Sequence, residues 1–539
     1  MAGDLDKSVK DLKNESLYLS KVWVSDLGNG MYKNPVLYAD YSDPDVCRAD
    51  DDYYMTASSF NCIPGLQILH SKDLVNWKII GAAIQRLYPE DVFDKPQHGN
   101  GVWAPSIRYR NGELHIYYGD PDYGIYMTKT RNPAGEWETP ALVKAGKGLI
   151  DPCPFWDDNG EAYLVHAYAG SRAGFKSVLA VSRLTPDGKK AIGQSRIVYD
   201  GHELDPTIEG PKLYKRNGYY YILAPAGGVA TGWQVALRSA DIFGPYERKV
   251  VMAQGSTSIN GPHQGGWVDT ATGEDWFLHF QDRYAFGRVV HLQPMKWVND
   301  WPVIGEDRDG DGCGEPVATC KKPAAGTTYP AETPVESDEF LTGQIGWQWQ
   351  WHANPTDWWY FAKPDKGVLC LYSVPVPENY KSLWDVPNLL LQKLTGTDLT
   401  ATANITFIPS ESLKGERTGL VVMGMDYALL SLENRPEGLR LFQNECREAE
   451  KGGVEKENAS ILLTGNTVYL RVEIQSNAAC RFSYSADGKK YQPLGNTFTA
   501  KEGKWIGAKV GLFCSRPVHN NDGGRVEIDW FRVELGIRN

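Results

Sequence analysis

The sequence predicts an all-β protein, a five-bladed β-propeller followed by a β-sandwich. Three observations predict it. A short proline-led unit that ends in an aromatic-aliphatic run recurs five times at a spacing of about 50 residues, a propeller-type period. Asn-Gly sits between the apolar runs of three of these units, and it is the strongest short-range hairpin signal because both central residues of a type I′ turn take positive φ. Past residue 322 the period stops, and short segments of alternating apolar and polar residues follow, as in strands with one buried face.

The first unit is Asp43-Pro44-Asp45-Val46, a turn at Asp51-Asp52, then Tyr53-Tyr54-Met55. The second runs from Ala104-Pro105-Ser106-Ile107 through Asn111-Gly112 to Leu114-His115-Ile116-Tyr117-Tyr118. The third is Asp151-Pro152-Cys153-Pro154-Phe155, Asn159-Gly160, Ala162-Tyr163-Leu164-Val165. The fourth is Glu209-Gly210-Pro211-Lys212-Leu213, Asn217-Gly218, Tyr219-Tyr220-Tyr221-Ile222-Leu223. A degenerate fifth runs from Gly261-Pro262-His263 through Thr272-Gly273 to Trp276-Phe277-Leu278. Five hairpins imply five four-stranded blades around a channel. Residues 1–30 read as an extension, 31–322 as the propeller, 323–334 as a Pro/Ala/Gly/Thr-rich linker and 335–539 as the sandwich. Sandwich strands are expected at Leu399 to Phe407, Val468 to Ile474 and Val526 to Glu534.

If each unit opens the inner strand of a blade, equivalent positions form a ring at one end of the channel. Three of them carry a carboxyl group: Asp43, Asp151 and Glu209. Acids brought that close raise at least one pKa, as acid/base sites require. An acid before Pro or Gly also makes turns and caps, but three in register are harder to assign to turn-making alone.

These segments resemble glycoside hydrolase family 43. The resemblance rests on Tyr41-Ser42-Asp43-Pro44-Asp45, on Trp103 to Tyr109, and on Ile150-Asp151-Pro152 and Ile208-Glu209-Gly210-Pro211. Asn260 to Gly266 and Gly287-Arg288-Val289-Val290-His291-Leu292 add to it, so that it spans roughly residues 31 to 320. It implies a five-bladed propeller that inverts the anomeric carbon, with Asp43 as general base, Glu209 as general acid, and Asp151 as the carboxylate that orients the acid and tunes its pKa. Inverting hydrolysis needs one carboxylic acid to protonate the leaving oxygen and a carboxylate ~6.5–9.5 Å away to activate water. Phe60 and Trp103 match aromatics that wall the sugar, and Arg288 matches an arginine on its hydroxyls. His263 matches a channel histidine that sits below the sugar and coordinates calcium. No cofactor is required for the chemistry, and a structural calcium ion in the channel is the metal the resemblance implies. Core packing is the alternative for Phe60, Trp103 and His263, and a surface position for Arg288.

The second half is similar to the concanavalin-like sandwich of family 43 β-xylosidases, through Ser337-Asp338-Glu339-Phe340, Trp347 to Trp351 and Ile528-Asp529-Trp530-Phe531. In those relatives a sandwich loop closes the pocket with an aromatic. The strand Gly511 to Cys514 and the loop Ser515 to Gly524 are the candidates here, and Lys509 stands where relatives often have an aromatic. Of the tryptophans Trp347, Trp349, Trp351, Trp358 and Trp359, alternation predicts one packed face and one exposed ring.

The expected partner is an oligosaccharide or polysaccharide of xylan, arabinoxylan or arabinan type. A formal charge of −11 argues against nucleic acid and anionic membrane. No apolar run is long enough to cross a bilayer as a helix. The start Met1-Ala2-Gly3-Asp4 is polar, and a secreted or periplasmic location with a signal peptide removed is favoured over the cytoplasm. Nine scattered cysteines show no disulfide framework, and free thiols are expected. Asp307 to Gly312 starts like a calcium loop, but its twelfth position is Ala318, so a surface turn is expected. The leading activity is exo-removal of terminal β-D-xylose or α-L-arabinofuranose. An endo-acting arabinanase and a non-catalytic carbohydrate-binding propeller are the alternatives, the last requiring loss of one of the three acids.

Overall fold

The computed structural model describes residues 17–536. Five antiparallel four-stranded sheets follow one another in sequence order, as the hairpin repeat predicts. Their inner strands are Asp45–Ala49, Trp103–Arg110, Leu149–Trp156, Lys212–Arg216 and His263–Asp269, in blades one to five. Each pairs with the next strand of its own hairpin, so every blade is a local meander. Asn111 and Gly112 turn the second hairpin, Asn217 and Gly218 the fourth, all with positive φ. In blade one the left-handed residue is Asp50, one position ahead of the expected turn.

The prolines of the repeat have a structural consequence. Pro lacks an N–H and breaks a ladder, so it sits at a strand start or a bulge. Pro44 and Pro211 precede their strands. Pro105 and Pro152 lie where the register slips, between Trp103 and Ser106 and between Ile150 and Cys153. Blade five slips in the same place, between His263 and Gly265. A bulge bends the strand and re-aims a side chain.

Burial between blades holds the ring. Val46 and Tyr53 of blade one pack with Val268 and Leu278 of blade five. Ile68 packs with Ile116, Met127 with Leu164, Val165 with Ile222, and Leu223 with Phe277, so each blade meets the next through its own apolar layer. The chain ends of the propeller close on each other where Met31–Lys33 pairs with Thr319–Lys321.

The second half is a sandwich of two sheets whose inner faces share one core containing Leu420, Leu430, Leu470 and Phe531. The expected strands appear as Leu399–Ile408, Thr467–Ile474 and Arg525–Leu535 and lie side by side. Trp349, Trp351 and Trp359 are core, while Trp347 and Trp358 are exposed at 39% and 56%. Tyr38, Phe286 and Val289 of the propeller join the sandwich core, so the two domains share apolar packing. The described part of the expected extension runs along the linker. The Ser20 hydroxyl donates to Glu336 at 2.7 Å, and its backbone N–H donates to Thr333 at 2.7 Å. Residues 1–16 of that extension lie outside the described residues. All nine cysteines are free thiols.

Candidate active site

Asp43 and Asp151 both take left-handed backbone, each with φ of 55°. Asp tolerates this region better than most residues, and such backbone concentrates at functional sites. Asp43 is buried. Its Oδ2 accepts hydrogen bonds from the hydroxyls of Ser42 and Ser58, both at 2.7 Å, and Arg288 Nη1 lies 3.1 Å from Oδ1. Asp151 is buried too. Its Oδ2 accepts the Gly210 N–H at 2.7 Å and the Gln264 amide at 3.0 Å. Gly210 has φ of 58°, and a Cβ there would fall 2.4 Å from Gln264. Only glycine lets the peptide after Glu209 approach Asp151 this closely.

Burial, then Asp43, push the Asp151 carboxyl up to about 7, against the pull of its two N–H donors and of Lys212. Enclosure, then Asp151 and Asp43, push Glu209 up to about 8, and Arg288 opposes this. Glu209 thus feels both Asp151 and Asp43, and Asp151 feels Asp43, the mutual perturbation expected of neighbouring acids. The two raised carboxyls behave as a pair. The excess proton belongs on Glu209, because Asp151 accepts two N–H donors that favour its ionised form, whereas the Glu209 carboxyl accepts no hydrogen bond among the described residues. The Glu209 side chain is 35% exposed, open to whatever enters.

His263 is buried with its Nε2 3.7 Å from Glu209 Oε1. Burial and Arg288 push its imidazole down to about 3, so it is neutral. Neither ring nitrogen has a protein partner. A bare neutral nitrogen is a metal donor, but calcium prefers six to eight oxygens. Among the described residues the only trio of His, Cys, Asp or Glu gathered closely enough for a cation is the exposed Asp307, Asp309 and Asp311. Those three cap backbone N–H groups of their own turn, including Gly310, Gly312 and Cys313. His263 is the channel residue that would offer a nitrogen to a cation, and no step of the chemistry is routed through one.

Farther along the inner strands, polar groups tie the blades together. Buried Lys212 donates to the Pro105 carbonyl at 2.7 Å and to Ser106 Oγ at 2.8 Å, and Asp45 pairs with Arg108 at 2.6 Å.

Phe60 and Trp103 meet edge to face at 6.4 Å, and Trp103 meets Trp505 of the sandwich at 6.2 Å. Trp505 corrects an expectation. The sandwich aromatic at the mouth comes from the Glu502 to Ile506 loop and not from Gly511 to Cys514, which is a core strand, nor from Ser515 to Gly524, whose first residues line a different cavity. Lys509 is buried in the domain seam, with Nζ 3.1 Å from Cys62 Sγ and 3.0 Å from Gln350 Oε1. A cavity of about 290 Å³ lies here, with Asn260, Asp282 and Arg288 on the propeller side and Glu502, Lys504 and Trp505 on the other. Gly507 buttresses the arginine: a Cβ there would lie 2.6 Å from the Gly287 nitrogen. Buried Asp40 accepts the Arg288 N–H at 2.8 Å. Sequence reasoning missed Ser58, Asp40 and Trp505; Ser42 and Gln264 stood inside the quoted motifs without a role.

Residues 32–302 match the family model for glycosyl hydrolases family 43, and residues 337–534 match that for the beta xylosidase C-terminal concanavalin A-like domain. A Xylanibacter ruminicola protein is 40% identical over 92% of this chain and 88% of its own. A beta-xylosidase of Formosa agariphila is 33% identical over 94% of this chain and 91% of its own. The crystal structure of the GH43 protein BlXynB from Bacillus licheniformis superposes with a TM-score of 0.80 at 25% identity, covering 94% of this chain and all of that one.

Proposed function

The chain belongs to glycosyl hydrolase family 43, and we propose that it is an inverting exo-glycosidase. Its substrates on this reading are terminal β-D-xylosyl residues, α-L-arabinofuranosyl residues, or both, on hemicellulose or its oligosaccharides. The observation that carries the reading is the asymmetry of the carboxyl groups. Glu209 is pushed up to about 8 and stays protonated near neutral pH, while Asp43 is ion-paired and accepts two hydroxyls.

The steps follow from that asymmetry. Glu209 gives its proton to the glycosidic oxygen as the bond from that oxygen to the anomeric carbon breaks. Asp43 takes a proton from a water that attacks the same carbon from the opposite face. The leaving alcohol departs protonated, and the sugar is released with its configuration inverted. Asp151 holds the peptide between Glu209 and Gly210 through its bond to the Gly210 N–H, and its charge helps keep the Glu209 proton in place. Arg288 orients Asp43 and presents the rest of its guanidinium to sugar hydroxyls. Phe60 and Trp103 wall the sugar and exclude water. The Trp505 loop, set against Trp103, supports exo action, since a polymer needs an open cleft to thread. The two candidate sugars offer similar hydroxyl arrangements to such a pocket.

Proton NMR of the first-formed sugar tests the mechanism. The anomer released should be opposite to that of the substrate, and a retained product would remove the base role of Asp43 and demand a nucleophile. Hydrolysis of aryl β-xyloside and aryl α-arabinofuranoside, assayed side by side, decides the sugar. Trp505→Ala should raise KM for xylo-oligosaccharides by about threefold to tenfold, the worth of one aromatic contact, and leave kcat on aryl glycosides nearly unchanged. An unaltered KM would take Trp505 out of the substrate path.

A further inference from the structure

The sandwich carries a second cavity that the catalytic reading does not use. It measures about 770 Å³, within the range of ligand sites. It lies on the outer face of the sheet that contains Arg417–Met423, Tyr427–Arg435 and Gly438–Cys446. The opposite face of these strands, with Leu420, Leu430 and Leu441, belongs to the sandwich core. Part of the outer face is apolar, and Leu383, Val386 and Leu389 cover it by packing on Val421, Leu429 and Phe513. The rest is left open and is polar.

The open part is built around Glu455. Its carboxylate accepts two bonds from Arg417, at 2.7 and 3.0 Å, one from the Tyr427 hydroxyl at 2.7 Å and one from the Asn444 amide at 3.2 Å. Arg417 also donates to the Tyr380 hydroxyl. Across the strands Arg417 stands opposite both Ser515 and Glu433, and Glu433 pairs with Arg435. The planar groups are thus fixed in place before anything binds. Three polar atoms of the lining remain without a partner: Asn444 Oδ1, Ser515 Oγ and Arg516 Nε. Buried polar atoms are rarely left unpaired, and these three belong to residues that line the cavity.

The charge balance selects the ligand. Three arginines and three glutamates line the cavity, so their charges cancel. Arg417 is held by Glu455 and Arg435 by Glu433, so an anion could reach either arginine only by displacing a carboxylate, and Arg516 is engaged by the Ser373 carbonyl. A neutral polyhydroxylated molecule needs only hydrogen bonds, and both donors and acceptors are on offer. We infer that this cavity is a second saccharide site, one that holds a neutral stretch of the polysaccharide away from the catalytic mouth. The choice of xylan as that polysaccharide rests on the function proposed above; the site itself does not.

The segment that roofs the apolar part also reaches the catalytic end. Trp384 stacks on His98 at 3.5 Å, and the neighbouring Gly99 carbonyl accepts the Trp103 indole N–H at 2.9 Å. A sugar seated against Tyr380 would therefore lie on the strap that supports the wall of the active site.

Titration calorimetry of the full chain carrying Glu209→Gln, with linear xylohexaose as the probe, tests this. Arg435→Ala changes an exposed side chain and Asn444→Ala a buried one, so the first remains informative if the second fails to fold. Each should weaken one binding event by about tenfold, roughly one hydrogen bond. In the otherwise unaltered chain each should leave aryl glycoside hydrolysis intact. A heat signal removed by Arg435→Ala supports the site, whether or not a second event at the propeller accompanies it. Binding unaffected by both substitutions, absence of binding, or a sugar-independent dimer broken by Arg435→Ala would overturn it. Failure of the unaltered chain to hydrolyse aryl glycosides would instead sink the proposed activity and leave the calorimetric result standing.

Discussion

Asp43→Asn should lower kcat by about 10²- to 10⁴-fold on every substrate, whatever the leaving group, because a base that activates water is needed equally for all of them. The choice of asparagine matters. Asp43 has φ of 55°, a region that asparagine also tolerates and alanine does not. Asp43→Asn removes the charge and keeps the backbone preference, so a loss of rate cannot be blamed on a displaced loop. It also removes the nearer of the two carboxylates beside Arg288, leaving Asp282 at 3.9 Å, and KM should change along with kcat if that arginine touches the sugar. Steady-state kinetics on a series of aryl glycosides, with circular dichroism to verify folding, is the measurement. A loss confined to poor leaving groups would mean that Asp43 serves the departing oxygen and that the base lies elsewhere.

Much of the propeller was legible because each blade is one meander whose signals are local. The Asn-Gly turns and the apolar runs around them fall within a few residues of each other, and the blades then follow in sequence order. The three acids were legible because the repeat gives them equivalent places. The bulges were not. A proline in a strand predicts an interruption, but which way the side chains turn depends on the partner strand, as at Ile150 and Cys153. Trp505 was hidden for a further reason. Strand alternation tells which face is buried and not which loop of the sandwich meets the propeller, and that contact joins Trp505 to Trp103 across the domain seam. Lys509 marked the place without explaining it. It lies in the seam against Cys62 and Gln350, and the ring at the mouth is supplied from the Glu502 to Ile506 loop. The cause of the raised Glu209 pKa was also only partly readable. Like charges in register pointed to repulsion, whereas enclosure of the carboxyl by the folded chain is the larger contribution.

Glu209→Ala should split substrates by their leaving groups. Aryl glycosides that depart as stable phenolates need little protonation and should retain most of their rate, while xylo-oligosaccharides should lose about 10²- to 10⁴-fold. The same residue should set the alkaline side of the pH profile. An acid catalyst works only while protonated, so kcat/KM should fall as pH rises through the Glu209 pKa in the free enzyme, which its surroundings push up to about 8. In Glu209→Ala that limb should vanish for substrates with good leaving groups. Asp151→Asn should move it to lower pH, because the second largest influence raising Glu209 is the charge of Asp151. Asparagine keeps an oxygen for the Gly210 N–H, so the geometry that holds the acid survives while the charge does not. The limb belongs to the coupled pair, and its displacement is the quantity to measure, not a value for either residue alone. Equal losses on good and poor leaving groups in Glu209→Ala would end the assignment of Glu209 as acid. A limb that stays in place in Asp151→Asn while the rate falls would leave Asp151 a purely geometric role, holding the peptide that follows the acid.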